Sequence, residues 1–140
     1  MRSRGLAHDY VHRAKVRLGA LDLLFEAESW ADVVRESQEV VELGLKGLLR
    51  SCGIDPPRLH DVSEVLLEER ARLPGELHPE VERLAEASRQ LRRDRELAFY
   101  GAEDVTPSGF YTKGDAERAR GLARTTVSLV APHVLGPGDS

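Results

Sequence analysis

Arginine is concentrated between residues 89 and 95, where Arg89, Arg92, Arg93 and Arg95 stand within two helical turns and Tyr100 follows five positions after Arg95. Guanidinium groups hold phosphate through paired N–H donors, and a phenol beside them can stack or hydrogen-bond. Two other short stretches carry polar side chains that could complete such a site. One is Gln38, Glu42 and Lys46, at successive four-residue spacing; the other is the pair His60–Asp61. An imidazole titrates near neutrality and handles protons. Arg95 and His60 are therefore the candidate catalytic residues. Arg95, Tyr100, Arg92, Gln38, Glu42, Lys46, His60 and Asp61 are the candidate ligand-binding residues. No metal or cofactor is expected. His8 and His12 lie one helical turn apart, but no further ligand follows at useful spacing, and zinc wants three or four.

Arg95 is singled out by its place in a pattern. The apolar stripe Val81, Leu84, Ser88, Leu91, Arg95, Ala98 advances by alternating threes and fours, which is one face of a helix. A guanidinium standing at a core position must face a cleft or a buried carboxylate, because stripping its charge of water is costly. Gln38 interrupts the face of an earlier helix in the same way. The bland readings are also clear. Glu42–Lys46 is expected as a surface ion pair contributing ~0.3–0.5 kcal/mol, Arg89 and Arg93 as a solvated face suited to a helix C-terminus, and His60 as a residue flanking a helix cap.

Five amphipathic helices must position these groups. The first is expected over residues 6–26, with Leu6, Tyr10, Ala14, Leu18, Leu21 and Phe25 inward. The second spans 30–50, capped by Ser29 or Asp32, with Trp30, Val34, Val41, Leu45 and Leu48 inward. Gly44 and Gly47 within it invite close approach of another helix. The run Cys52 to Pro57 is a firm stop. The third helix opens at residues 59–61 with Asp61 and Glu64 as a capping box, carries Val62, Val65, Leu66 and Leu73, and ends at Pro74–Gly75. The fourth follows Pro79, at its first turn, and runs to Phe99. Residues 101–112 form a long loop that could cover something. The fifth starts with a box at residues 112–115 and runs to Val130 on Ala116, Ala119, Ala123, Val127 and Val130, stopped by Pro132. Such elements imply an all-α antiparallel up-down bundle, one domain over residues 5–135 with loose tails at 1–4 and 136–140.

The chain has 140 residues, with 31% charged and 41% hydrophobic, which suits one domain with a real core. Its net charge of −4 argues against a general nucleic-acid coat, though not against a local basic patch. The single cysteine, Cys52, excludes an internal disulfide and fits a buried thiol in a reducing compartment. No apolar run approaches the ~20 residues of a membrane helix, and the basic N-terminus lacks the apolar segment of a secretory leader. A cytoplasmic location is expected, without a membrane.

Taken together, the sequence resembles the HEPN domain family. The match is carried by the tyrosine- and alanine-bearing first helix, Ser37–Gln38 with Glu42 and Lys46, Leu59–His60–Asp61, and residues 95–101 (Arg-Glu-Leu-Ala-Phe-Tyr-Gly), and covers residues 6–133. The resemblance implies a helical bundle that forms homodimers, often beside a small nucleotidyltransferase partner and in toxin–antitoxin pairs. Active members are metal-independent ribonucleases with an arginine, four to six residues, then a histidine, at a dimer cleft. Here Arg95 is followed at that spacing by Tyr100, and no histidine follows the arginine cluster before His133. A phenol with a pKa of about 10 is a poor base at neutrality.

Three functions follow. The first is a non-catalytic HEPN protein that dimerises and binds a nucleotidyltransferase, a nucleotide or an RNA phosphate. The second is a ribonuclease with His60 and Arg95, or Arg92, in a rearranged site. The third is a dimeric scaffold in which Arg95 is clamped to Glu42 or Asp61. The second helix, with its glycines, and the fourth are the candidate dimer faces.

Overall fold

The computed structural model describes residues 2–58, 61–100 and 107–136, and the side-chain surroundings of these except at 2–4, 94–100 and 107–108. The chain is all-helical, and among the described residues there is no strand. Helix α1 spans Arg2–Glu26, α2 Trp30–Ser51 and α3 Ser63–Glu68. Two 3-10 turns, Arg70–Arg72 and Gly75–Glu80, lead into α4, Val81–Tyr100. A short helix α5, Pro107–Phe110, precedes α6, Lys113–Val134.

Helix α2 is the centre of the bundle, packed by α1, α6 and α4. Its buried residues are not a stripe but most of a circumference: Val33, Val34, Ser37, Gln38, Val40, Val41, Gly44, Leu45, Gly47, Leu48 and Leu49. A helix apolar on most sides belongs inside. The two glycines explain how it fits. A Cβ at Gly47 would stand 2.5 Å from Val11 Cγ2 and 3.1 Å from the Ala7 carbonyl oxygen, so α1 crosses where a side chain is missing. Gly44 lies under α6, 3.7 Å from Thr126 Cγ2 on the same construction. Both glycines are therefore used inside the bundle, one against α1 and one against α6.

Several expected boundaries move. Helix α1 begins at Arg2, inside the stretch expected as a loose tail. Its buried stripe is Ala7, Val11, Ala14 and Leu21, so the inward face is turned from the expected Leu6–Tyr10 line, and Leu6 is exposed. The small residues Ala7 and Ala14 win because α1 must lie close to α2. Ser29 stands at the N-cap of α2 but its hydroxyl donates to Asp32 Oδ2 at 2.6 Å and does not cap the helix. The expected third helix breaks at Glu69 into α3 and a 3-10 turn over Arg70–Arg72. Helix α6 starts as expected, with Thr112 and Asp115 exchanging bonds of 2.9 and 3.1 Å. It continues through Pro132 to Val134. The loop between α4 and α6 contains α5, whose neighbour Tyr111 is buried.

Two chain reversals need left-handed backbone. Gly53, with φ of +75°, ends α2, and Glu28, with φ of +58°, does the same after α1 without a glycine's freedom.

Candidate functional site

The structure brings the candidate residues together in two groups. The first lies along α2. Glu42 accepts from Gln38 Nε2 at 3.1 Å through one carboxylate oxygen and from Lys46 Nζ at 2.7 Å through the other. Gln38 is 2% exposed, and the Lys46 and Glu42 side chains are 18% and 12% exposed. The pair expected on the surface is therefore largely out of water. Four-residue spacing sets the three side chains one above another on the helix, and burial turns that ladder from a weak surface contact into one whose loss strands a charge.

The second group lies along α4. The stripe Val81, Leu84, Ser88 and Leu91 is buried as expected. Beside it, Asp61, Glu86, Arg89, Arg92 and Arg93 line an open groove of ≈ 440 Å³. The Asp61 carboxylate is fixed from below. Its Oδ1 accepts from the Ser63 N–H at 2.9 Å and from the Ser88 hydroxyl at 3.2 Å, while Ser88 Oγ itself accepts from the Val62 N–H at 3.0 Å. Asp61 thus caps nothing through Glu64. It closes a local turn and ties the entry of α3 to α4, which corrects the capping-box expectation. Burial works to raise the Asp61 pKa, but the Ser63 bonds, the Ser88 bond and the charge of Arg89 together outweigh it, and the carboxyl sits below its ordinary value. Arg89 bonds Glu86 at 2.8 and 3.3 Å and holds its proton more firmly for it.

Such a groove can hold an anion. Three guanidiniums supply planar, permanently charged donors, and an acid anchored by two serines supplies a fixed acceptor for a hydroxyl. Arg89 and Arg93, read from sequence as solvated, share the groove with Arg92. Ser63 and Ser88 were missed. The signal for Ser88 was present, since a serine in an otherwise apolar stripe needs a buried partner.

His60 lies outside the described residues. Arg95 and Tyr100 lie on the α4 backbone, with Arg95 one turn beyond Leu91 and in its register; their side chains lie outside the described set. The rings of His8 and His12 stack at 6.4 Å, and among the described residues no three metal-ligating side chains cluster. No helix among those residues is long and apolar enough to cross a membrane.

Comparison with known proteins adds one finding. A family model described as HEPN domain matches residues 7–132. No curated protein and no solved structure matches.

Proposed function

The chain belongs to the HEPN family, and from that premise we propose that it is a non-catalytic member whose α4 groove holds a phosphate of a nucleotide or an RNA end. The family indicates a nucleotide- or RNA-related role. The observation that carries the reading is the convergence of Arg89, Arg92 and Arg93 on one groove beside the anchored Asp61. The arginines hold phosphate, and Asp61 accepts from a ribose hydroxyl. Arg95, Tyr100 and His60 join this site through their places in the chain, three residues after Arg92, eight after it, and next to Asp61. Gln38, Glu42 and Lys46 support it from α2. The chain acts as a homodimer beside a small nucleotidyltransferase, in the manner of a toxin–antitoxin pair.

Catalysis is not part of the reading, because the position five after Arg95 is a tyrosine, and a phenol with a pKa of about 10 does not accept protons readily at neutrality. The test is anisotropy of a short 5′-phosphorylated RNA, with the RNA recovered afterwards from EDTA. Binding should weaken about tenfold in an Arg92→Ala/Arg93→Ala variant, the loss of ~1.4 kcal/mol. The salt slope should fall by roughly 0.7 for each phosphate that is no longer neutralised. Absence of binding by the unaltered protein overturns the groove, and cleavage of the RNA overturns the non-catalytic reading. Capture of a small nucleotidyltransferase by the tagged chain tests the partner, and recovery of none overturns it.

A further inference from the structure

Two acids line the α4 groove, and they are used differently. Asp61 belongs to the fold. Its Oδ1 takes the Ser63 N–H and the Ser88 hydroxyl, and Arg89 reaches it through charge alone. Glu86 belongs to the groove. Its Oε2 accepts from both Nε and Nη2 of Arg89, at 3.3 and 2.8 Å, and among the described residues it bonds to no other element. Arg89 thus faces two carboxylates and is held by the one that the fold does not need.

The guanidinium edge that carries two N–H donors is the edge that takes a phosphate, through two parallel bonds to two oxygens. Glu86 meets that edge with one oxygen shared between both donors, so its contact is a partial copy of the one a phosphate makes. The copy is also easily given up. The Arg89 and Glu86 side chains are 42% and 53% exposed, so water screens the pair, and Glu86 has solvent to turn into. Three residues of helix join acid to arginine, so Glu86 stays beside the groove after leaving Arg89 and can return to it.

We propose that Glu86 is a built-in stand-in for the ligand's phosphate: it occupies Arg89 in the empty groove, and the phosphate binds by exchange with it. This rests on the groove reading above and adds what regulates that site and which anions it admits. While Glu86 is in place, Arg89 is kept over the groove and off the Asp61 carboxylate. A free carboxylate gains nothing by the exchange, since it replaces a tethered group of its own kind and gives up its freedom of movement as well. A terminal phosphate carries about −1.5 to −2 charges at neutrality and three acceptor oxygens, so it holds Arg89 better than Glu86 does and still reaches a second arginine.

The test is the anisotropy of 5′-phosphorylated RNA on the full chain at low salt. Glu86→Gln keeps the shape of the side chain and removes its charge, and affinity should rise about threefold, the scale of an exposed ion pair. Its melting temperature should match that of the original, because the pair is screened. Arg89→Ala keeps Arg92 and Arg93, and in that background Glu86→Gln should bring no gain. Glu82→Gln controls for charge alone, since Glu82 acts on Arg89 through space without a bond, and it should bring little. A gain that survives in the Arg89→Ala chain, or that Glu82→Gln matches, makes Glu86 a background charge and overturns the proposal. A fall in affinity overturns it too, because Glu86 would then serve only to keep Arg89 away from Asp61. If the unaltered chain binds and Glu86→Gln binds no tighter, this inference falls and the groove reading stands; if no chain binds, the groove reading fails and takes this one with it.

Discussion

The α2 ladder and the α4 groove are built from the same materials and do opposite things. Each sets acids and bases three or four residues apart on one helix. In the ladder, Glu42 and Lys46 are 12% and 18% exposed and bond at 2.7 Å. In the groove, Arg89 and Glu86 bond at 2.8 Å, with side chains 42% and 53% exposed. An exposed pair is screened and contributes little, so its members can be lent to a ligand. A pair that has lost most of its water belongs to the fold, because withdrawing one partner leaves the other charged in a dry place. Spacing along the helix is common to both; what separates them is the helix each rides on. Helix α2 is enclosed by three others, whereas α4 turns one flank to solvent.

The strongest way to break that distinction is Glu42→Ala. It removes the acceptor of both Gln38 and Lys46. The loss should be about 3 kcal/mol, at the lower end for a buried pair because Lys46 keeps some water. That is a fall in melting temperature of roughly 10 °C, read by circular dichroism. A melting temperature within a degree or two of the original would place the ladder among the surface pairs after all.

The next effect tests why α2 is enclosed. Gly47→Ala drives a methyl group toward Val11 and the Ala7 carbonyl, and overpacking of this kind costs about 1–3 kcal/mol. Gly44→Ala meets only ordinary contact with Thr126 and should stabilise the helix by up to about 1 kcal/mol. Urea melts of the pair should move in opposite directions. Equal shifts would mean that α1 does not press on α2 at Gly47.

Much of the frame was legible because helical periodicity is a local signal. The stripe from Val81 to Leu91 and the Thr112–Asp115 box could be read from spacing alone. The depth of Gln38, Glu42 and Lys46 could not, since burial depends on which helices arrive around α2. Nor could the rotation of α1, where Ala7 and Val11 are inward in place of Leu6 and Tyr10, while Ala14 and Leu21 are buried as expected. Larger apolar residues draw the eye, but close helix packing selects small ones. Asp61 was misread for a similar reason. Its spacing to Glu64 mimics a capping box, yet Ser88, 27 residues away, competes for the carboxylate. Of the candidate site, Arg92 and Asp61 meet in the groove.

Asp61 lies between the two extremes, partly buried and still facing arginine. Its pKa is lowered on folding, so the charged form stabilises the fold above the ordinary carboxylate value, and that contribution is lost as pH falls through the folded value. Asp61→Asn should cost about 1 kcal/mol near neutrality. The difference between the two proteins should shrink as pH is taken from neutral to acid, past the ordinary carboxylate value toward the lower folded one. Melts at both ends of that range decide it: a gap that does not change with pH would mean that the serines bond the amide as well as they bond the carboxylate.

Arg93→Ala should show the smallest effect on stability, and the contrast between the two helices requires it to be small. Arg93 is exposed and lines the groove. A surface substitution of this kind stays within about 0.5 kcal/mol. Phosphate affinity should nevertheless fall, by a few-fold at low salt and by less at high salt, because a solvent-facing cation acts through a screened field. Glu42→Ala and Arg93→Ala should therefore separate cleanly, one moving the melt and the other the binding curve. If Arg93→Ala lowered the melting temperature as far as Glu42→Ala does, the groove arginines would be part of the fold's own ion-pair network, and the division between the two helices would be lost.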